Sequence, residues 1–514
     1  MNAKNRNKSI VRQTAANIAA SVIYQITAAV CSLILPRYIL LSFGSDVNGI
    51  LQSVSQLLNY TVIMECGIGG LIMAAFYKPL ADGDKRAVSD IFNYSRDFFN
   101  KLSYVYMGLV LMLAVLAKVI IRTEYDFAYV STLTLILGIS YYFTYYFALT
   151  HRLLIRADQK IRIVQGIQSI TLILNTVICV AAIRLGFGIH TVKAVNAIVF
   201  LLNPVVFRLY VRRHYSITGK MYDERRAFPR KRDGIAHQIS FFVHMNTDIV
   251  LISIACGTKE VSVYSVYNSI IYAVESFFTT ISDSIAAAVG NIIANGENET
   301  LKTSFEFYRV VNTAMATFVC VAEAALVLPF VSIYTKGVTD AMYVRPAFAY
   351  MMIAAQWFFC MRIPYNNIIS AAGHYGQTKK GAYMEVILNM AISLLLLPRF
   401  GICGVAFGTM IAMAARTVYM AWYLSHNLLN RKLDLFIKDT ALNIIFGIAL
   451  VWLIGKTITI SADNLFVWGL YAAGISAGVI AALLIFNFAV NYAVVVAMMK
   501  RIKNSNKITM KNPY

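Results

Sequence analysis

The sequence predicts an all-α polytopic membrane protein, with about fourteen transmembrane helices grouped as two six-helix lobes and two additional C-terminal helices. Three observations carry this prediction. Each apolar stretch is close to the ~20 residues needed to cross ~30 Å of hydrocarbon. Lysine and arginine are concentrated in alternate gaps between those stretches. Landmark residues of the first half recur in the second half at nearly one offset.

The helices are predicted in order from the apolar stretches, with charged or turn-forming residues at their ends. They cover residues 14–41, 47–76, 102–121, 127–150, 162–183, 189–211, 236–256, 262–292, 310–334, 343–372, 381–399, 402–425, 439–460 and 466–499. The first stretch contains Gln13, Asn17 and Gln25 and continues to Leu41. We therefore expect a retained first helix and not a cleaved signal peptide. In the last helix, Gly474 and Gly478 have the spacing that permits close helix approach.

The positions of the cations predict the orientation. The loop from Arg212 to Gly234 is rich in arginine and lysine, whereas alternate gaps such as Phe43–Asp46 are short and nearly neutral. The positive-inside rule then places both termini of this multi-pass membrane protein in the cytoplasm. A net charge of +21 could suggest nucleic acid, but in a chain that is 59% hydrophobic the cations are better explained as topological anchors and headgroup contacts.

Motifs of soluble enzymes and of metal sites are absent from the sequence. The seven cysteines lie in or at the ends of apolar spans, without metal or redox spacing, so neither a disulfide frame nor a metal site is predicted. Gly455-Lys456-Thr457 has Leu450 where a phosphate-binding loop needs its first glycine, so no nucleotide-hydrolysing module and no cofactor is expected. We assign no catalytic residue.

An internal repeat is indicated by landmarks that share an offset. Gly44 recurs as Gly257 after 213 residues, and Asn175 recurs as Asn389 after 214 residues. The predicted domains are residues 1–211 (N-terminal lobe), 212–235 (cytoplasmic linker), 236–425 (C-terminal lobe) and 426–514 (two helices and a basic tail). Copies with an even number of helices enter the membrane in the same sense, which predicts a repeat axis along the membrane normal. Chance similarity between apolar helices is the alternative.

Four segments resemble a known family. They are Phe76–Leu80 (FYKPL), Leu154–Lys160 (LIRADQK), Asn246–Ser253 (NTDIVLIS) and Arg362–Asn367 (RIPYNN). They resemble the polysaccharide-export branch of the MOP superfamily, the Wzx-like flippases of lipid-linked oligosaccharides, from the first through the twelfth helix. The number of spans also matches the related lipid II flippases.

The resemblance implies a MATE-like arrangement of two lobes that work by alternating access. The implied substrate is an undecaprenyl-pyrophosphate-linked oligosaccharide, moved from the inner to the outer leaflet for surface polysaccharide biosynthesis. Membrane lipids and the polysaccharide polymerase machinery are the implied partners. A drug/cation antiporter of the MATE type remains an alternative, although those usually stop two helices earlier. A membrane glycan polymerase or ligase is a second alternative, disfavoured because every outer loop here is short.

Three arginines at membrane depth are candidate substrate contacts. Arg362 and Arg416 lie within predicted helices, where a guanidinium is costly and can bind phosphate with two parallel hydrogen bonds. Arg37 follows Pro36 near the outer end of the first helix and could contact pyrophosphate or an anionic sugar there. The alternatives are a structural pair with Asp248, Glu275 or Glu385 for the two deep arginines, and snorkelling to the interface for Arg37.

Three acids are candidates for ion coupling or gating, namely Glu65, Asp248 and Glu275. Burial and neighbouring cations can shift the charge state of such carboxylates. Glu385 lies near the cytoplasmic end of its helix and is interpreted as interfacial, and Glu323 has the least sequence context. The polyprenyl tail of the substrate is expected in lipid or in a groove beside helices thirteen and fourteen.

Overall fold

The computed structural model describes residues 3–60, 68–218, 247–294, 298–461, 464–492, 494 and 496. These residues form α-helices joined by short turns, and no β-strand occurs among them. Ten of the described helical segments are long and apolar enough to cross a membrane. The predicted all-α polytopic fold class is confirmed. Glu65, most of the predicted linker and the basic tail lie outside the described residues.

Eight helices precede the central loop. They are α1 (Ala3–Asn59), α2 (Ile68–Asp82), α3 (Lys85–Ile120), α4 (Phe127–Phe143), α5 (Leu149–Ala157), α6 (Ile161–Arg184), α7 (Ile189–Phe200) and α8 (Leu202–His214). A π-helical turn, Thr144–Ala148, joins α4 to α5, so these two helices form one predicted span. Similarly, α7 and α8 share one span, since only Leu201 separates them.

Eight further helices follow. They are α9 (residues 247–255), α10 (Thr258–Ala294), α11 (Asn298–Tyr334), α12 (Pro346–Ala371), α13 (Tyr375–Phe400), α14 (Ile402–Leu424), α15 (Asp434–Thr457) and α16 (Leu465–Val490). Proline occupies the first turn of α12, where its missing N–H costs no helical hydrogen bond. Asn464 caps α16, because its side chain accepts hydrogen bonds from the backbone N–H groups of Phe466 and Val467.

Glycine forms two of the turns that the sequence predicts between spans. Gly44 interrupts α1 with φ 81° and ψ 176°, a conformation open to glycine because it has no Cβ. Next to it, Asp340 accepts hydrogen bonds from the Ser45 backbone N–H at 2.7 Å and the Ser45 hydroxyl at 2.6 Å. Gly257, between α9 and α10, has φ 90°. The two predicted span-separating glycines therefore have the same backbone role.

The asparagine landmarks of the repeat also have matching surroundings. Asn175 on α6 accepts hydrogen bonds from Cys179, one turn later, and from Asn196 on the next helix. Asn389 on α13 accepts them from Ser393, one turn later, and from Thr409 on the next helix. The shared pattern supports the repeat; its axis and its lobe boundaries stay predictions.

Two residues separated by the predicted repeat offset are in direct contact. The Asn48 side-chain amide donates to the Ser262 hydroxyl at 2.7 Å, and the two positions are 214 residues apart. The two helices α1 and α10 approach closely here. A Cβ on Gly49 of α1 would stand 1.8 Å from the Thr258 carbonyl oxygen of α10. If the two halves are related by an axis, equivalent positions of the two copies meet only close to that axis.

By packing, the chain divides into two compact units. Unit 1 comprises residues 1–269 and 337–341, and unit 2 comprises residues 270–336 and 342–514. The core of unit 1 includes Ile50, Phe76, Phe99 and Leu154. The division falls inside α10, whereas the sequence predicts lobes that meet in the central loop, and the predicted boundaries remain a prediction.

In unit 2, small residues allow α13 and α14 to pack closely. A Cβ on Gly408 of α14 would stand 2.4 Å from the Ser393 hydroxyl oxygen of α13.

The last two helices pack against α11 through a cluster of Val321, Leu326, Ile475, Val479 and Leu483. The expected close approach at Gly474 and Gly478 is wrong, because no described atom lies within 4 Å of a Cβ built at either glycine. The face of α16 that packs against α11 carries Ile475, Val479 and Leu483 and not the two glycines.

Candidate functional site

The principal candidate site is a cluster of buried charges in unit 2. Arg362 of α12, Glu385 of α13 and Arg416 of α14 are 7%, 6% and 3% exposed. The Arg362 guanidinium donates to one Glu385 oxygen, and the Arg416 Nε lies 3.9 Å from the other. Arg416 also donates to the Thr378 carbonyl oxygen at 3.3 Å. Glu385 therefore bridges the two arginines that the sequence proposes as substrate contacts.

A glycine allows this bridge to form. A Cβ on Gly381 of α13 would stand 2.3 Å from a Tyr419 ring carbon and 2.7 Å from Arg416 Nη1. Both side chains come from α14. Because Gly381 has no side chain, the guanidinium can lie flat against α13, one turn from Glu385. Any larger residue at this position has to displace Arg416 or Tyr419.

Glu275 of α10 completes the cluster as a second acid. It is 8% exposed and interacts electrostatically with Arg362. Glu385 thus pairs with both guanidinium groups, which offsets part of the cost of burying these charges. A phosphate group offers a guanidinium the same planar pair of acceptor oxygens as Glu385, so it can replace the carboxylate chemically.

The role of Glu385 differs from its interpretation as an interfacial residue. It is buried and paired with residues of two neighbouring helices. Its position in the sequence carries no local signal of this, since the partners are 23 residues before it and 31 residues after it. The alternative of a structural pair with Glu385 agrees with this geometry, and direct substrate contact by either arginine stays a prediction.

Asp248 lies in unit 1, on α9. Its carboxylate accepts a hydrogen bond from the Tyr264 hydroxyl at 3.1 Å, and the neighbouring Thr247 hydroxyl lies 3.2 Å from that of Tyr60. Asp248 is buried among these hydroxyl groups. Its coupling role stays a prediction, as does that of Glu65, which lies outside the described residues.

Arg37 is half-buried on α1, directly after Pro36. The adjacent Tyr38 is bound by Arg184 of α6, whose Nη2 donates to the tyrosine hydroxyl at 2.7 Å. The same guanidinium lies 5.3 Å from the centre of the tyrosine ring. The aromatic side chain next to Arg37 thus has a cationic partner already, and a contact between Arg37 and substrate stays a prediction.

An apolar groove opens in unit 2 between α11, α12 and α15. Its volume is about 780 Å³, and its walls include Val321, Ile353, Ile448 and Val451. Polar groups line one part of it, where the Trp357 indole N–H donates to the Thr317 hydroxyl at 3.2 Å. Lys456, at the end of α15, lies 4.6 Å from the centre of the Trp452 ring. A groove of this volume, with mostly apolar walls, suits a hydrocarbon chain.

The structure brings together no group of three or more His, Cys, Asp or Glu side chains suited to a metal ion within its described ranges. A scan of protein-family models and a search of curated proteins find no match to this sequence.

The fold is that of solved membrane transport proteins. A structure of the lipid II flippase MurJ in an inward closed conformation superposes with a TM-score of 0.71 at 14% identity, covering 92% of this chain and 99% of that one. An inward-facing multidrug-resistance MATE transporter of the MOP superfamily gives 0.56 at 12% identity, over 87% and 96%. The MATE multidrug transporter DinF-BH in complex with R6G gives 0.59 at 14% identity, over 82% and 97%. At such identities, the likeness establishes the fold.

Proposed function

We propose that this protein is a flippase that moves undecaprenyl-pyrophosphate-linked oligosaccharides from the inner to the outer leaflet for surface polysaccharide biosynthesis. The observation that carries the proposal is the dual character of α12. One part of this helix lines the apolar groove with Ile353, Trp357 and Phe358, and one turn beyond Phe358 it carries the buried Arg362. A lipid with a hydrocarbon tail and a pyrophosphate needs both environments side by side.

In the proposed mechanism, the tail occupies the groove between α11, α12 and α15 while the pyrophosphate reaches the arginine cluster. Glu385 holds both guanidinium groups in the absence of substrate. An entering pyrophosphate takes the place of Glu385 on Arg362 and Arg416, since its oxygens satisfy the same donors. Partner exchange keeps both arginines paired with an anion throughout.

The protein is proposed to work by alternating access in the cell inner membrane, with both termini in the cytoplasm. A polysaccharide polymerase that uses the flipped product is the proposed downstream partner. The main alternative is a MATE-type drug/cation antiporter, because the fold is also that of MATE proteins. The two cluster arginines favour an anionic substrate over an organic cation. One wall of the groove is formed by α15. This helix is one of the two that the sequence predicts beyond the twelve helices of the two lobes.

The test is glycan export in cells that depend on this chain. Arg362→Ala and Arg416→Ala are expected to reduce surface polysaccharide far more than they reduce the amount of protein in the membrane. Lysine at either position should restore little activity, since it lacks the planar pair of donors. Arg399→Ala is the matched control, because Arg399 is an exposed arginine at the end of α13.

Normal surface polysaccharide in both alanine variants would remove the arginines from the mechanism. Efflux of cationic dyes by the wild-type protein, without an effect on surface glycan, would favour the antiporter. A substitution in the apolar groove tests the proposal independently of the arginines. Val451→Trp should obstruct the lipid tail and lower export while both arginines stay in place.

A further inference from the structure

A second polar site lies in unit 2, on the face of α11 turned toward α12. Both carboxyl oxygens of Glu323 are shielded from solvent and have no hydrogen-bond partner among the described residues. Gln356 of α12 is 1% exposed, and its amide oxygen and nitrogen are likewise without a partner there. The amide lies beside the carboxyl, yet the two do not meet hydrogen-bond geometry. Four polar atoms are therefore buried together and unsatisfied.

An ionised carboxylate cannot satisfy these atoms. Ionised Glu323 only accepts hydrogen bonds, so it could take one from the Gln356 N–H group but would face the amide oxygen with its second oxygen. Two acceptors would then face each other in a low-dielectric interior, where an unpaired polar group costs roughly 2–7 kcal/mol. The carboxylate would also carry an uncompensated charge.

A single proton on Glu323 allows all four polar atoms to form hydrogen bonds. A protonated carboxyl group has one O–H donor and one carbonyl acceptor, and a primary amide has N–H donors and one carbonyl acceptor. The two groups are complementary: the acid O–H donates to the amide oxygen, and the amide N–H donates to the acid carbonyl. The proton comes from water, forms one O–H bond on the carboxylate, and cancels one negative charge.

Within the described ranges, the surrounding groups do not neutralise Glu323 by another route. The titratable side chains that face it are Glu275 of α10, Cys320 of α11 and Cys360 of α12. None of these is a cation, and Glu275 adds a like charge when ionised. The guanidinium that interacts with Cys360, Arg362, is held by Glu385.

Among the described residues of the other helices that pack on α11, no cation pairs with Glu323. Within Leu465–Val490, α16 has no acidic or basic residue. On α15, Lys438 is exposed, Asp439 pairs with Arg309, and Lys456 lies over the Trp452 ring.

We propose that Glu323 and Gln356 form a proton-binding site in unit 2, in which the protonated carboxyl and the amide hydrogen-bond to each other. Protonation favours the packed arrangement of α11 on α12, and loss of the proton favours an arrangement that hydrates Glu323. A proton shifts such an equilibrium by its differential affinity for the two states. The link to lipid transport rests on the proposed function, whereas proton binding itself does not.

Infrared spectroscopy of the purified full-length protein in lipid nanodiscs tests the site directly. The carbonyl stretch of a protonated carboxyl group is separate from the bands of carboxylates. The wild-type spectrum at neutral pH is expected to contain this band, and Glu323→Gln is expected to lose the intensity of one carboxyl group. Glu306→Gln is the matched control on the same helix. Glu306 forms ion pairs at 2.9 Å with both Arg309 and Arg431, so its removal should leave the band intact.

Gln356→Leu provides a second measurement that does not need the Glu323 variant to fold. It keeps the acid and removes its hydrogen-bond partner, so the band should move to higher wavenumber. Identical wild-type and Glu323→Gln spectra, or an unmoved band in Gln356→Leu, would overturn the proposal. A band lost only in Glu275→Gln would place the proton on the other acid and would also overturn it.

A sodium titration at constant pH tests the rival occupant. If sodium chloride in place of potassium chloride removes the band, the site takes a metal cation and the proposal is wrong. Export assays are kept separate from these spectra. A protein with the expected band but no role in glycan export would retain the proton site and lose the proposed function, so the two failures are distinguishable.

Discussion

Replacing Glu385 by glutamine would remove the carboxylate that Arg362 and Arg416 share, with almost no change in side-chain volume. The two guanidinium groups are 7% and 3% exposed, so water cannot take over the lost interaction. Breaking a buried ion pair by removing one partner costs about 3–5 kcal/mol, because the remaining charge stays buried. Two arginines lose a partner here, but Arg362 keeps Glu275 as an electrostatic neighbour and Arg416 keeps the Thr378 carbonyl at 3.3 Å. We therefore expect the free energy of unfolding to fall by about 3–5 kcal/mol.

Equilibrium unfolding of the purified variant in mild detergent measures this loss. Glu124→Gln is the control, since Glu124 is exposed in the turn between α3 and α4, and it should change stability by less than about 0.5 kcal/mol. The double variant Arg362→Gln/Glu385→Gln should lose less than the sum of the two single variants, with a coupling of about 0.5–3 kcal/mol. A Glu385→Gln protein as stable as the wild type, or a strictly additive double variant, would show that the bridge does not stabilise unit 2.

Three further predictions follow from other parts of the chain. Gly381→Ala should destabilise the protein by about 1–3 kcal/mol, because its Cβ meets Tyr419 at 2.3 Å, whereas Gly376→Ala on the same helix has open space and should be neutral in a thermal melt. A cysteine at Tyr222 should resist a membrane-impermeant thiol reagent applied to intact cells, and labelling from outside would disprove the cytoplasmic loop. Asp248→Asn and Glu65→Gln should alter the dependence of reconstituted transport on a proton or sodium gradient; an unchanged dependence in both would leave these acids with a structural role.

The sequence predicts the fold class because membrane insertion leaves a strong trace in it. Apolar length and the placement of cations depend on the bilayer and not on the tertiary contacts, so the helices could be predicted one at a time. Gly44 and Gly257 were identifiable as turns for a similarly local reason, and both have positive φ. These features need no knowledge of which helices are neighbours.

The chemistry of the candidate site was less accessible. Glu385 was interpreted as interfacial because its depth was counted along one helix, whereas its role comes from arginines on two others. Glu323 had no sequence context, because its unpaired state depends on how Gln356 of α12 is placed. The close approach expected at Gly474 and Gly478 was wrong, since spacing shows which residues share a face and not which face meets a neighbour.

The hydrogen bond between Asn48 and Ser262 has a consequence for the history of the chain. In an ancestor built from two identical copies, this position would have met itself, and any mutation would have changed both sides of the contact at once. Elsewhere the copies could diverge independently. Here, an asparagine opposite a serine at 2.7 Å shows that at least one side changed and that the other side accommodated the change. Swapping the two residues, Asn48→Ser with Ser262→Asn, should therefore be tolerated better than making the pair identical.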